Sequence, residues 1–214
     1  MKNLILTLTL MLAITGCSHT PAAGDTSAKD AAGASSLREK NSLETTIYLQ
    51  PFGNFTEQEA KRLTKSLDVG LHKIFPKVTY KYVVLAPKPL PEDSYYKPRN
   101  RYLADVLLKH IGTDNGFIFG LTHKDISFKI HGHENYGIMG LTRVGGNRSI
   151  VSDFRVGKNN FVPVIVHEYL HGVSSAQHCE NQDCLMCDYS ARKNKKMEIK
   201  LCSEKHGTIN PKLL

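Results

Sequence analysis

Apolar positions recur along this chain with two different periods, and the elements they predict alternate. Short apolar runs at Thr45–Leu49, Val78–Leu85, Phe117–Thr122, Gly137–Val144 and Ser149–Phe154 predict strands. Between them, Leu63, Leu67, Leu71 and Ile74 fall on one face of a helix, and Thr56-Glu57-Gln58-Glu59 is a capping box that opens it. Leu103, Val106, Leu107 and Ile111 mark a second amphipathic helix after a proline-rich loop, residues 87 to 99. Phe161, Val162, Val164, Ile165, Val166, Tyr169, Leu170 and Val173 are apolar around most of a third helix, which predicts a buried one. Pro163 is tolerable only in a first turn, so that helix is placed from about Asn160 to Ser174. The order is α/β (α+β), without internal repeats or a second domain boundary.

The N-terminal end follows a different pattern. Lys2, an apolar run from Leu4 to Ile14 and then Ile14-Thr15-Gly16-Cys17 form a secretory signal with a lipobox, too short to span a bilayer as a mature helix. The expected division is a signal peptide at 1–16, a lipidated Cys17 with a flexible linker at 17–41, and one domain at 42–214. Acylation of Cys17 anchors such a chain to a membrane without spanning it, which places it at a bacterial cell envelope. Plain secretion, with cleavage near Gly16, is the simpler alternative.

Charge adds little to this picture. The 214 residues carry a formal net charge of +8. Much of the excess lies in Arg192, Lys193, Lys195, Lys196, Lys200 and Lys205, read as a solvated face in preference to a patch for acidic lipid or acidic substrate. No aromatic interleaving or fold motif argues for nucleic acid. The sequence does not indicate an oligomeric state.

The chemistry is concentrated in the third helix and just beyond it. His167-Glu168-Tyr169-Leu170-His171 puts two imidazoles one turn apart on one helical face, where both can hold a single ion, with Glu168 beside them and free of the metal. That is the arrangement of a catalytic zinc site with a carboxylate general base acting on a peptide substrate. The bland alternative is a core helix whose histidines only form hydrogen bonds. His178 follows as a third ligand, and Glu198 is the competing one, as in a gluzincin-type protease. A zinc-binding lipoprotein without catalysis, and a disulfide-bonded lipoprotein in which the motif is incidental, complete the alternatives.

Apart from Cys17, the cysteines fall in one short stretch as Cys179, Cys184, Cys187 and Cys202. Their spacing favours a second, structural Zn²⁺ over disulfides, although an exported chain meets oxidising conditions. Cys187 and the His206 of Cys202-Ser203-Glu204-Lys205-His206 compete for the fourth ligand position.

These residues resemble the archaemetzincins, whose hallmark is HExxHxxGxxHC followed by CxM and CxxC. The chain matches at His167, Glu168, His171, His178-Cys179, Cys184 and Met186, and upstream at Pro89-Leu90-Pro91, Tyr96-Lys97-Pro98-Arg99, Arg101-Tyr102, Gly120-Leu121-Thr122 and Asp125-Ile126. The resemblance implies a metzincin-like fold, a twisted mixed β-sheet with an active-site helix and a zinc-stabilised C-terminal subdomain. It also implies Met186 as an apolar floor under the catalytic zinc. Tyr189 is near the position of an oxyanion-binding tyrosine, with packing the preferred role. His131-Gly132-His133 is read as a solvated loop rather than a metal pair.

Four features depart from the family pattern. One residue more separates His171 from His178, and Ser174 or Ser175 stands where the family has glycine. The spacer before Cys202 is shorter. The last family cysteine is replaced by Lys205, with His206 one position further.

Overall fold

The computed structural model describes residues 43–112, 115–130, 132–157, 159–188, 192 and 196–206. All of them lie in one contact unit, Lys40–Leu214. In chain order it builds β1 (Leu43–Pro51), α1 (Glu57–His72), β2 (Val78–Val84), β3 (Tyr95–Tyr96), β4 (Arg101–Leu103), α2 (Ala104–Lys109), β5 (Phe117–Thr122), β6 (Ile126–Ile130), β7 (His133–Ile138), β8 (Gly140–Thr142), β9 (Arg148–Ser152), α3 (Phe161–Val173) and α4 (Ser203–His206). Residues 1–42, and with them the expected signal, Cys17 and linker, lie outside the described residues.

Two sheets form where one was expected. The larger has the order β2-β1-β5-β9-β8, parallel except for its antiparallel edge strand β8. The smaller has the order β3-β4-β6-β7. The run read as a single strand from Gly137 to Val144 divides at Met139, between β7 of the small sheet and β8 of the large one. β6 was not anticipated.

Burial on both faces explains the continuous apolar pattern of the central strands. All six residues of β5 are buried, and their side chains alternate between two cores. Phe117, Phe119 and Leu121 join Ile47, Leu49, Leu67, Leu71, Tyr169 and Leu170 under α1 and α3. Ile118 joins Phe52, Leu107, Leu108 and Ile150 under α2. A strand period of two feeding two helical layers is the arrangement of a sheet covered on both sides.

The capping box closes at the start of α1 as the sequence predicts. Glu59 N donates to Thr56 Oγ1 at 3.2 Å, and Thr56 N donates to Glu59 Oε2 at 2.8 Å. The buried α3 runs within one residue of its expected limits, with Pro163 in its first turn. Tyr169, fully buried on α3, meets the edge or face of Phe75, Tyr80, Phe117 and Phe119 and fixes the helix on the sheet. That rotation turns His167, Glu168 and His171 toward β8.

Candidate active site

His167 and His171 leave α3 one turn apart, and the chain beyond the helix brings His178 back to them. Their Nε2 atoms converge: 3.1 Å separates His167 from His178, 3.1 Å His167 from His171, and 3.2 Å His171 from His178. The return passes through Ser175 at φ 52, the left-handed conformation for which the family uses glycine. The extra residue is absorbed in this turn, and His178 still reaches the other two.

The tautomers decide what those short distances mean. His167 Nδ1 donates to the Leu185 carbonyl at 2.9 Å, and His171 Nδ1 donates to the Ala176 carbonyl at 2.6 Å. Each ring therefore presents an unprotonated Nε2 inward, and two lone pairs face each other at hydrogen-bond distance with no proton to share. His178 Nδ1 faces the Asp188 carboxylate at 3.6 Å. A cation among the three nitrogens removes the repulsion. Tetrahedral zinc with Zn–N near ~2.0–2.1 Å spaces its ligands by roughly 3.3 Å, so the set fits such an ion and leaves a coordination position open. Burial pushes the His167 imidazole down to about 3 and His171 to about 4, and lowers His178. All three imidazoles are therefore neutral at physiological pH and able to ligate a metal ion.

Glu168 projects from α3 against β8. It is 6% exposed, and burial raises its carboxyl to about 7. Gly140 makes room for it, since a Cβ there would lie 2.5 Å from Glu168 Oε1. A proton acceptor poised near neutrality beside a metal site is what water activation requires.

A second group of donors assembles from Cys179, Cys184, Cys202 and His206, whose ligand atoms lie within 4.8 Å of one another. Cys202 and His206 are four apart across the single turn of α4, and His206 Nδ1 is 3.4 Å from Cys202 Sγ and 3.5 Å from Cys184 Sγ. His206 Nε2 donates to the Gln177 carbonyl at 2.9 Å, which leaves Nδ1 unprotonated toward the thiols. The cysteines are free, not bridged. Three sulfurs and one nitrogen suit a closed tetrahedral zinc site.

The structure leaves Cys187 out of this group, contrary to its expected place among the ligands. A β-bridge pairs Cys187 with Cys179 through the backbone, while its Sγ lies near the Gln182 amide at 3.8 Å, against the wall of the cleft. Glu198 is not a ligand either: it is exposed and paired with Lys200 at 3.6 Å. Met186 is fully buried in the large core, and its carbonyl accepts from Cys179 N at 3.1 Å. His133 is exposed at the start of β7, whereas Tyr189 and His131 lie outside the described residues.

Arg192, expected on a solvated face, is instead 3% exposed. Its guanidinium donates to the carbonyls of Gln182 at 2.9 Å, Cys184 at 2.6 Å, Leu185 at 3.3 Å and Cys187 at 3.4 Å. It thus organises the turn whose Leu185 carbonyl orients His167. No sequence signal identifies such a residue, because its acceptors are backbone groups.

His167, Glu168, His171 and His178 line a cleft of about 900 Å³, bounded by Ile138, Leu141 and Val144 on the β7–β8 side. No family model matches the chain, and no curated protein matches it. Solved structures do. An archaemetzincin from Archaeoglobus fulgidus superposes with a TM-score of 0.57 at 24% identity, over 76% of this chain and 98% of that one. An archaemetzincin from Methanopyrus kandleri gives 0.58 at 22% identity, over 75% of this chain and 92% of that one. The fold implied by the sequence motifs is therefore the fold observed.

Proposed function

We propose that this chain, which has the archaemetzincin fold, is a zinc-dependent metallopeptidase held at a bacterial membrane through a lipid on Cys17. The observation that carries the enzymatic reading is the convergence of three imidazole Nε2 atoms at 3.1–3.2 Å beside a buried carboxyl raised to about 7. His167, His171 and His178 would hold the catalytic ion, and Cys179, Cys184, Cys202 and His206 a structural one.

When bound, the catalytic zinc supplies Lewis acidity that polarises a carbonyl and makes water more acidic. Glu168 then accepts a proton from the attacking water at its carboxylate and returns it to the departing amide nitrogen. Its buried position strengthens this exchange by limiting competition from solvent. Leu185, Ala176 and Asp188 fix the outer nitrogens of the three rings, so no imidazole must reorient during turnover. The edge of β8 and the apolar wall formed by Ile138, Leu141 and Val144 are suited to an extended peptide.

Replacing Glu168 with glutamine tests this reading. The variant keeps its zinc and fold, whereas cleavage of a mixed peptide library falls by about 10²–10⁴-fold. A folded, zinc-loaded parent protein that cleaves nothing in that library overturns it in favour of a binding role.

A further inference from the structure

The cleft contains one charged group that peptide hydrolysis leaves without a task. Arg155 is the only arginine or lysine among the described residues that line it. Its Nε donates to Asp125 Oδ1 at 2.6 Å and its Nη2 to Asp125 Oδ2 at 2.7 Å, which fixes the plane of the guanidinium. Arg101 Nε claims the same carboxylate at 2.8 Å. Two guanidinium groups on one carboxylate leave a positive charge uncancelled.

That surplus faces the cleft. Arg101 Nη1 is committed to the Asn135 carbonyl at 2.8 Å, and the Arg101 side chain is only 16% exposed. Arg155 is 35% exposed, and no described residue accepts a hydrogen bond from its Nη1. Gly137 permits this placement, because the guanidinium occupies the space of a side chain there. Its other neighbours along the cleft, Tyr136, Ile138 and Phe128, carry no acidic group, while Asp188 is turned to His178.

Gly140 packs on Glu168 and Gly137 packs on Arg155, so three residue steps of backbone, through the bend at Met139, separate the two contacts. Three steps reach at most about 10 Å, the length of about three residues of an extended bound peptide. Resting on the peptidase reading, we infer that Arg155 is a specificity-determining residue that binds a substrate carboxylate within about three residues of the scissile bond. The carboxylate is either the peptide's own C-terminus or an Asp or Glu side chain.

Binding to the full-length, zinc-loaded Glu168→Gln protein separates this inference from catalysis. The probes are fluorescent peptides of one apolar sequence, made in several lengths as free acids and as C-terminal amides, and a second set with one internal Glu or Gln. A carboxylate in register binds about ten- to a hundred-fold tighter than its neutral counterpart, as a charge-assisted bidentate contact warrants. A preference confined to the free acids identifies the C-terminus, and one confined to the Glu set identifies an acidic side chain. Adding Arg155→Gln brings the ratio to about one, and Arg101 remains to satisfy Asp125. Gly137→Ala, which displaces the guanidinium but keeps its charge, also lowers the ratio and decides the matter if Arg155→Gln does not fold. Equal binding of acids and neutral peptides, or a ratio unchanged in a folded variant, overturns the inference. If the parent protein cleaves nothing while the preference persists, the peptidase reading fails and the role of Arg155 stands.

Discussion

Lys205 Nζ donates to the backbone carbonyl of His178 at 2.8 Å. The lysine that stands where the related pattern has its last cysteine thus ties α4 to the third member of the histidine cluster. Gln177, one residue earlier, is held through its carbonyl by His206 Nε2, and Cys179, one residue later, belongs to the sulfur site. The segment that delivers His178 is therefore held on both sides by the second donor group. Lys205→Met should weaken zinc at the histidine site by up to about ten-fold, the lower end of what outer contacts to ligands contribute, and leave the sulfur site filled. Chelator competition followed site by site measures this.

The donor set predicts metal content. Purified protein should hold about two zinc ions per chain. His206→Ala should lose one and become alkylatable at Cys179, Cys184 and Cys202, while Cys187→Ala should retain both. Mass spectrometry under native conditions reads the count, and loss of zinc from Cys187→Ala alone would restore that residue as a ligand.

Arg192 satisfies several buried carbonyls at once, so its removal strands acceptors that water cannot reach. Arg192→Leu should cost about 3 kcal/mol in stability, as loss of a charged donor to buried partners does. Arg192→Lys should cost less, because the charge survives but the planar fork is lost. Denaturant melts of the zinc-loaded proteins give both values.

Protein stripped of metal should lose stability as pH falls from 6.5 toward 4. His167 and His171 are held to about 3 and about 4 when folded, so in that window the unfolded chain binds more protons at both sites. Glu168, raised to about 7, acts in the opposite direction from its unfolded value near ~4.3 upward. Two histidines outweigh one carboxyl throughout this window, and the opposing contributions nearly cancel at about pH 7. Glu168→Gln should steepen the acid limb. Melting temperatures across this range at constant ionic strength test the sign.

Cys17 lies in the lipobox Ile14-Thr15-Gly16-Cys17. Its replacement by alanine should move the chain from the membrane to the soluble fraction, since a single acylated residue is the proposed attachment. Fractionation of cells expressing either form checks this, and an unchanged membrane fraction would rule out the lipid anchor.

What the sequence determined by itself was local. The i and i+4 placement of His167 and His171 follows from helical pitch, the start of α1 from its capping box, and the burial of β5 from an unbroken apolar run. The left-handed turn after α3 forms at Ser175, one of the two residues that stand where the related pattern has glycine. Other assignments depended on which distant segments meet. Cys187 and His206 had equal claims in the sequence, and only the turn of α4 against Cys184 selected His206. Arg192 and Lys205 read alike as basic surface, yet one is buried among carbonyls and the other holds His178. The run from Gly137 to Val144 carries one continuous apolar pattern, and its division between two sheets arises from pairing partners, β6 for one half and β9 for the other. Periodicity encodes which face of an element is apolar, but the partner that covers that face is chosen by long-range packing.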